Sequence, residues 1–325
     1  MIGLKFAARF KAVLFILLFC AAGPAAAQFP DRPVRIVVPF GPGGLADITF
    51  RVVAEKLTGL LGKPVLVENQ PGAGGIAAAA TVTKSRPDGH TLLVIANGTA
   101  ISKSLFKSLP YDPVKDLAPV SLVAYFDLVV LVKGDGRYKT LAELLAAARA
   151  APGKLNFGSI NPGSTQNLSA ELFKSTAGIE AQVVPFRTST DAAAALMADN
   201  LDAVFESYTA MKSLIDAGRL RALASTGSKR SAYLPELPTV KEAGVPSYEV
   251  TGWNALTAPV GTPPEIIALL NKQVNAVVAM PEVKARLLQL GTEAYAGTPE
   301  ELRRQLVNDI AKWEGVIKRA GIPQQ

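Results

Sequence analysis

The chain has 325 residues, a formal net charge of +7, one histidine and one cysteine. Its charged side chains are scattered and no long block of like charge occurs, which argues against nucleic-acid binding or membrane tethering by a basic patch. The length suffices for two domains of ordinary size. The mild positive balance suits small anionic ligands.

The first 27 residues are predicted to be a secretory signal peptide. Lys5, Arg9 and Lys11 precede an apolar stretch at 12–22, and small residues at 25–27 form a cleavage site. The apolar stretch is too short for a comfortable membrane span. The single cysteine falls in this segment, so we expect an exported, periplasmic chain with no disulfide and no thiol chemistry.

Short apolar strands alternate with helical patterns over the first third of the chain. Strands are predicted at 34–38, 65–68 and 91–95, and helices at 47–61 and 75–84. These strands are rich in Val, Ile and Leu, as strands buried on both faces are. The alternation predicts a mostly parallel sheet in an α/β fold.

The alternation continues to the end of the chain. The remaining predicted elements are strands at 120–123, 128–132, 155–158, 183–186, 203–205, 220–225 and 249–256, and helices at 141–151, 165–177, 191–198, 263–279, 281–291 and 299–320. We expect one α/β unit to interrupt another, with chain crossings at 127–133 and 248–258. The first lobe is then 28–126 with 252–325, and the second lobe is 127–251.

A glycine-rich turn at 39–47 follows the first predicted strand and opens the first predicted helix. Gly43 and Gly44 have no Cβ, so they can take a positive φ and let a ligand approach the main chain. The free N–H groups of a helix start form an anion site for a carboxylate or a phosphate. The alternative is a plain connection.

A second turn of this kind spans 158–166, between a short strand and a helix. Ser164 is a good N-cap, and Ser159, Asn161, Thr165 and Gln166 add neutral hydrogen-bonding groups beside main-chain donors. An ordinary capped helix is the alternative interpretation. If both turns face one cleft, two helix starts from two lobes can hold both ends of a doubly charged acid.

Other candidates occupy corresponding places after later strands, where open α/β sheets bind ligands. Arg187 is a candidate carboxylate partner or a solvated rim residue, and Glu206 repels anions and is expected to cap a helix or order water. The full set of candidate ligand-binding residues is Gly43, Gly44, Leu45, Ala46, Asp47, Asn97, Thr99, Ser159, Asn161, Gly163, Ser164, Thr165, Gln166, Arg187, Glu206 and Ser207.

Patterns for catalysis and cofactors are weak. The G-x-G-x-x-A pattern at 72–77 lacks the acidic residue that a dinucleotide site needs about twenty residues later. His90 is the only histidine, and we expect it to be structural. No G-x-S-x-G motif and no histidine or cysteine cluster for a metal occurs. We therefore expect no catalytic residue, no metal and no cofactor, and we keep a secreted hydrolase as the enzyme alternative.

Ordered motifs along the whole exported chain resemble the solute-binding proteins of tripartite tricarboxylate transporters, the Bug family. The motifs are D-R-P-V-R-I-V-V-P-F at 31–40, G-G-x-x-D at 43–47, E-N-Q-P-G-A-G-G at 68–75, P-D-G-H-T-L-L at 87–93, L-P-Y-D-P at 109–113, P-G-K-L-N-F-G-S at 152–159, L-P-E-L-P-T-V at 234–240 and A-P-V-G-T-P at 258–263.

This resemblance implies a type II periplasmic-binding-protein fold, with two doubly wound α/β lobes and a two-stranded hinge. It implies a small organic acid as ligand: a di- or tricarboxylate, an acidic amino acid or an aromatic acid. The ligand carboxylate would lie between residues 43–47 and 159–166. The expected partners are the large and small membrane permease subunits.

The sequence departs from the family pattern at the borders of the expected cleft. Gly41 replaces a usual proline or alanine, and Asn167 replaces a frequent histidine. Residues 100–101, 186–188 and 205–206 also differ from the common residues. The resemblance therefore leaves the identity of the acid open. A ligand-presenting component of a membrane sensor kinase is the second hypothesis, and in either role we expect a monomer.

Overall fold

The structure is a computed structural model that describes residues 29–319 and 321–325. The predicted signal peptide and its cysteine lie outside the described residues. Within them, no helix is both long enough and apolar enough to cross a membrane.

Strands and helices alternate through the described part of the chain, as the sequence predicts. The strands are β1 (Val34–Val38), β2 (Val65–Asn69), β3 (Thr91–Ala96), β4 (Leu117–Lys133), β5 (Asn156–Ile160), β6 (Gln182–Phe186), β7 (Ala203–Ser207), β8 (Leu220–Ser225), β9 (Thr251–Pro259) and β10 (Glu293–Ala294). The helices are α1 (Leu45–Leu61), α2 (Ile76–Thr83), α3 (Asn97–Leu105), α4 (Leu141–Ala150), α5 (Thr165–Ala177), α6 (Ser189–Met197), α7 (Tyr208–Asp216), α8 (Pro264–Ala279), α9 (Pro281–Gln289) and α10 (Pro299–Arg319).

The long strand β4 belongs to two groups of strands. Its first part pairs with β9 as far as Asp127, opposite Thr251, and its second part pairs with β7 from Leu128, opposite Ser207. We call the strands on one side of this change of partner the first half-sheet (β1, β2, β3, β9, β10) and those on the other side the second half-sheet (β5, β6, β7, β8). The division into two lobes at residues 126/127 and 251/252 stays a prediction.

The carboxyl ends of the parallel strands point to the junction from both sides. In the first half-sheet, Ala96 at the end of β3 pairs with Asn254 near the start of β9, and β1 runs parallel to β3. In the second half-sheet, Ser207 ends β7 beside Leu128, and β5 runs parallel to β7. The turns after β1, β3, β5 and β7 therefore leave their strands at the edges that meet there.

Three details differ from the sequence predictions. Residues 120–123 and 128–132 form one strand, because β4 continues through register shifts beside Pro119 and Leu122 that take up its irregular pattern. Asn97 to Thr99 form the first turn of helix α3, an element that the sequence patterns did not predict. Residues 206–207 end strand β7 rather than follow it. Helices α3 and α7 were not predicted from the sequence.

The core joins the two half-sheets on one face. Ile101 and Leu105 of α3 belong to the same buried cluster as Leu168 and Phe173 of α5, although these helices follow strands of different half-sheets. The outer faces have separate cores, one packed under α1 and α8 and one under α6 and α7. Helix α3 therefore lies between the two parts of the molecule, and its residues Ile101 and Leu105 lie next to Gly163 of the second turn.

Candidate functional site

The first glycine turn is closed by the side chain of Asp47. One carboxylate oxygen accepts the N–H of Gly43 at 2.9 Å, and the other accepts Nε of Arg51 at 2.9 Å and Nδ2 of Asn69 at 2.9 Å. Asn69 also donates to the carbonyl of Phe40 at 3.0 Å. Asp47 is thus a structural part of the turn, and its carboxylate is fully engaged by protein donors.

These bonds decide the charge state of the turn. Burial pushes the pKa of Asp47 up, but the hydrogen bonds from Arg51, Gly43 and Asn69 outweigh burial and hold that pKa below its usual range. Arg51 offsets the negative charge. The turn therefore presents no uncompensated negative charge to a ligand at Leu45.

The second turn repeats this arrangement with a neutral side chain. The N–H of Gly163 donates to Oδ1 of Asn167 at 3.3 Å, and Nδ2 of Asn167 donates to Ser159 Oγ at 3.2 Å. Ser164 caps α5 by accepting the N–H of Asn167 at 3.1 Å. Asn161 binds through its own N–H to the carbonyl of Phe186 at 2.9 Å, which ties the turn to the end of β6.

Both helices begin with unengaged main-chain donors. Gly44 caps α1 without a side-chain hydrogen bond, which leaves the N–H groups of Leu45 and Ala46 without an intrahelical acceptor. In α5 the cap occupies the third N–H, so the donors of Thr165 and Gln166 remain. Two helix starts with free N–H groups and a positive dipole end can hold anionic groups.

Asn97 and Thr99 are engaged within the protein. Asn97 is buried, donates to Asp309 at 3.0 Å and to the Thr251 carbonyl at 3.3 Å, and accepts the N–H of Trp253 at 3.0 Å. Thr99 Oγ1 lies 3.5 Å from the main-chain nitrogen of Ala96, the last residue of β3. The Asn97 side chain therefore holds α3 against β9 at the junction.

Glu206 is a buried carboxylate that binds neutral groups. Its Oε1 accepts Nε2 of Gln166 at 2.9 Å and the N–H of Ser207 at 2.6 Å, and its Oε2 accepts Ser189 Oγ at 2.7 Å. Its exposed fraction is 1%. Among the described residues, no cation forms an ion pair with Glu206.

Arg187 comes directly after β6 and next to the second turn, because Phe186 accepts the N–H of Asn161. The side chain is exposed, and within residues 29–319 and 321–325 it pairs with no carboxylate. Its guanidinium is available to a ligand or to solvent.

Asp127, at the junction of the two half-sheets, is a further carboxylate that the sequence analysis did not select as a candidate. Asp127 accepts Ser231 Oγ at 2.6 Å and Thr251 Oγ1 at 3.3 Å. Burial raises the pKa of Asp127 to about 6, against these hydrogen bonds and with a further rise from nearby Glu293 and Glu249.

His90 lies at the opposite end of the sheet from the turns. It precedes β3, and its carbonyl accepts the N–H of Arg35 near the start of β1. The imidazole is buried, with Nε2 3.0 Å from Asp31, Nδ1 3.2 Å from Asp88, and Phe29 packed edge-on at 4.8 Å. This position supports the structural role predicted for it.

Two further features bear on ligand chemistry. In the described residues, no group of three His, Cys, Asp or Glu side chains is arranged to hold a metal ion. A surface depression of about 360 Å³ lies beyond α3, lined by Lys103, Lys107, Tyr111 and Asp112 among others. None of the candidate ligand residues lines this depression.

Comparison with known proteins decides the family. The family model described as "Tripartite tricarboxylate transporter family receptor" matches residues 49–322. The chain belongs to this receptor family. The resemblance seen in the sequence motifs is thereby confirmed.

Three solved members are similar over nearly the whole chain. R. palustris Rpa4515 with adipate is 35% identical, with a TM-score of 0.85 and coverage of 91% of this chain and 99% of that one. The periplasmic binding protein BugD is 30% identical, with a TM-score of 0.83 and coverage of 91% and 100%. MatC from Rhodopseudomonas palustris with bound malate is 32% identical, with a TM-score of 0.81 and coverage of 89% and 100%. The fold is that of periplasmic binding proteins, as predicted.

Sequence reasoning missed the residues that hold the two turns of this receptor in shape. Arg51 and Asn69 support Asp47, and Asn167 supports Gly163. The sequence spacing could have identified the two closing side chains, because an Asp or Asn stands four residues after a glycine at the start of both helices. Asn69 also stands within the conspicuous E-N-Q-P-G motif.

Proposed function

We propose that this family member is a periplasmic solute-binding protein that captures a small organic carboxylate between its two lobes. The lobes are residues 28–126 with 252–325, and 127–251. Support comes from the matched pair of glycine turns, each closed by a side chain four residues on and each leaving free N–H groups at a helix start. Two relatives were solved with dicarboxylates, adipate and malate.

The ligand carboxylates would be held mainly by main-chain donors and small hydroxyls. Leu45 and Ala46 supply N–H groups from the first lobe, and Thr165 and Gln166 supply them from the second. Arg187 adds a charge at the rim. Closure of the two lobes about the junction between Asp127 and Thr251 would exclude water from these bonds.

Calorimetry against C4 to C6 dicarboxylates, citrate, acidic amino acids and aromatic acids tests the binding function. We expect heat of binding from one chemical class and a loss of binding when both turns are altered. The absence of binding by every acid in the panel would overturn the proposal.

The family description supports a membrane transporter as the partner. We propose delivery of the ligand to a permease made of one large and one small membrane subunit. Capture of those subunits from membranes by the ligand-loaded protein is the expected result. Capture of a sensor kinase instead would favour the ligand-presenting role.

The predicted signal peptide supports a periplasmic location, and secretion of the full-length chain with cleavage near residue 27 tests it.

A further inference from the structure

The amide of Gln166 has a fixed orientation in this structure. Glu206 carries oxygen acceptors only, so the 2.9 Å bond between the two side chains requires the NH2 end of Gln166 to face Glu206. The carbonyl end of the amide then points the other way. Gln166 is partly exposed, and among the described residues its oxygen accepts no hydrogen bond.

The Gln166 side-chain oxygen lies at the start of α5, beside the main-chain donors of the second turn. Gln166 is the second residue of α5, in the turn where Thr165 offers a free N–H to a ligand. The site in the second lobe therefore combines main-chain donors with one side-chain acceptor. Behind that acceptor lies the buried carboxyl group of Glu206, with no cation paired to it within the described residues.

We infer that Glu206 is a positioning residue that presents the Gln166 carbonyl to the cleft and so selects acids carrying a hydrogen-bond donor beside the carboxylate. The donor is a hydroxyl or an ammonium group. This inference rests on the proposed carboxylate-binding function. A ligand that lacks the donor leaves the Gln166 oxygen desolvated and unpaired when the lobes close. The oxygen then loses its hydrogen bond to water without replacement, which makes binding of that ligand less favourable.

Matched ligands test this selection. Binding of succinate, malate and aspartate, and of adipate and 2-aminoadipate, is measured by calorimetry with the wild-type protein. At the chain length that the protein binds, we expect the acid with a hydroxyl or ammonium group to bind about tenfold more tightly than the acid without one. Malate against aspartate shows whether the donor is a hydroxyl or an ammonium group.

Two variants separate positioning from simple support of the fold. In Glu206→Gln the new amide can donate as well as accept, so the Gln166 amide is free to turn, and we expect the tenfold preference to fall towards onefold. Ser189→Ala removes the 2.7 Å bond to the other oxygen of Glu206 and leaves the bond to Gln166. We expect this control to be destabilised to a similar degree and to keep the preference.

The possible results are distinct. A preference that survives Glu206→Gln, a preference lost equally in Ser189→Ala, or equal binding of bare and donor-bearing acids by the wild type would each overturn the inference and leave the carboxylate-binding function standing. Failure of every acid to bind the wild type would overturn that function and this inference together.

Discussion

The main-chain N–H of Gly43 donates to the carboxylate of Asp47 over 2.9 Å. Gly163 and Asn167 repeat this bond at 3.3 Å after β5 of the second half-sheet, again with an offset of four residues and with a glycine φ of 79° beside 78° at Gly43. Each bond closes a turn, and the first N–H groups of the helix that follows have no intrahelical acceptor. Arg51 neutralises the first turn and the second has a neutral closing side chain, so neither turn repels an anion.

Removal of the Asp47 carboxylate is expected to weaken ligand binding. Asp47→Ala frees Gly43, Arg51 and Asn69 at once, so the first turn loses the geometry that aims its donors. We expect about a tenfold weaker affinity by calorimetry, and a fall in the free energy of unfolding on the order of 1–3 kcal/mol.

Asp116→Ala is the matched control for that change. Asp116 also closes a turn, by accepting the N–H of Asp112 at 2.7 Å, but it lies in a loop away from the candidate ligand residues. We expect similar destabilisation and unchanged affinity. Equal affinity losses in both variants would mean that Asp47 acts only through global stability.

Ser164 is expected to matter more for binding than Arg187. Ser164→Ala removes the N-cap of α5 and loosens the turn, whereas Arg187 is an exposed side chain that competes with solvent. Calorimetry should give a clearly larger affinity loss for Ser164→Ala than for Arg187→Ala. The reverse order would show that the charge of Arg187, and not the helix start, holds the carboxylate.

Thr140→Ala controls for the loss of a helix cap. Thr140 caps α4 by accepting the N–H of Glu143 at 3.2 Å, away from both glycine turns. Each cap deletion should lower the free energy of unfolding by about 1 kcal/mol. Only Ser164→Ala should also reduce affinity.

The junction is expected to make stability depend on pH. The pKa of Asp127 is about 6 in the folded protein because of burial, whereas an aspartate in the unfolded chain has its ordinary pKa near 3.8. Between these values the folded state holds a proton that the unfolded state has lost, so the free energy of unfolding falls as the pH rises through this window. Above pH 6 the buried charge carries its full cost.

Asp127→Asn should remove this dependence. Urea titrations from pH 4 to pH 7 should show the wild type losing on the order of 1–2 kcal/mol relative to Asp127→Asn, after allowance for the partial exposure of the side chain. Parallel stability curves for the two proteins would contradict a raised pKa at this position.

The sequence predicts most strands and helices well and side-chain engagement poorly. The predicted and observed bounds of helix α5, 165–177, are identical. Ser164 marks its start as an N-cap, and Gly178 marks its end as a glycine in the left-handed conformation. Asn97 was selected by its place after a strand. Its buried bonds to Asp309 and Trp253 join positions more than 150 residues apart, and no local pattern encodes them.

Gly163 lies close against helix α3. A Cβ at Gly163 would lie 2.3 Å from Cδ2 of Leu105, so this glycine lets the second turn pack against a helix of the first half-sheet. Gly163→Ala should lower the free energy of unfolding by about 1–2 kcal/mol for the positive φ and by about 1–3 kcal/mol more for the forced separation.

Gly178→Ala measures the first contribution alone, so the second follows as the difference between the two variants. Gly178 also has a positive φ, 61°, but open space surrounds the position of its Cβ. We expect urea unfolding to show only the cost of the φ angle in this control, and small-angle scattering to show an increased radius of gyration in Gly163→Ala alone. Equal destabilisation and unchanged dimensions in both variants would mean that the turn and α3 are not packed together in solution. The larger loss in Gly163→Ala would identify α3 as the element through which the second turn is held against the first half-sheet.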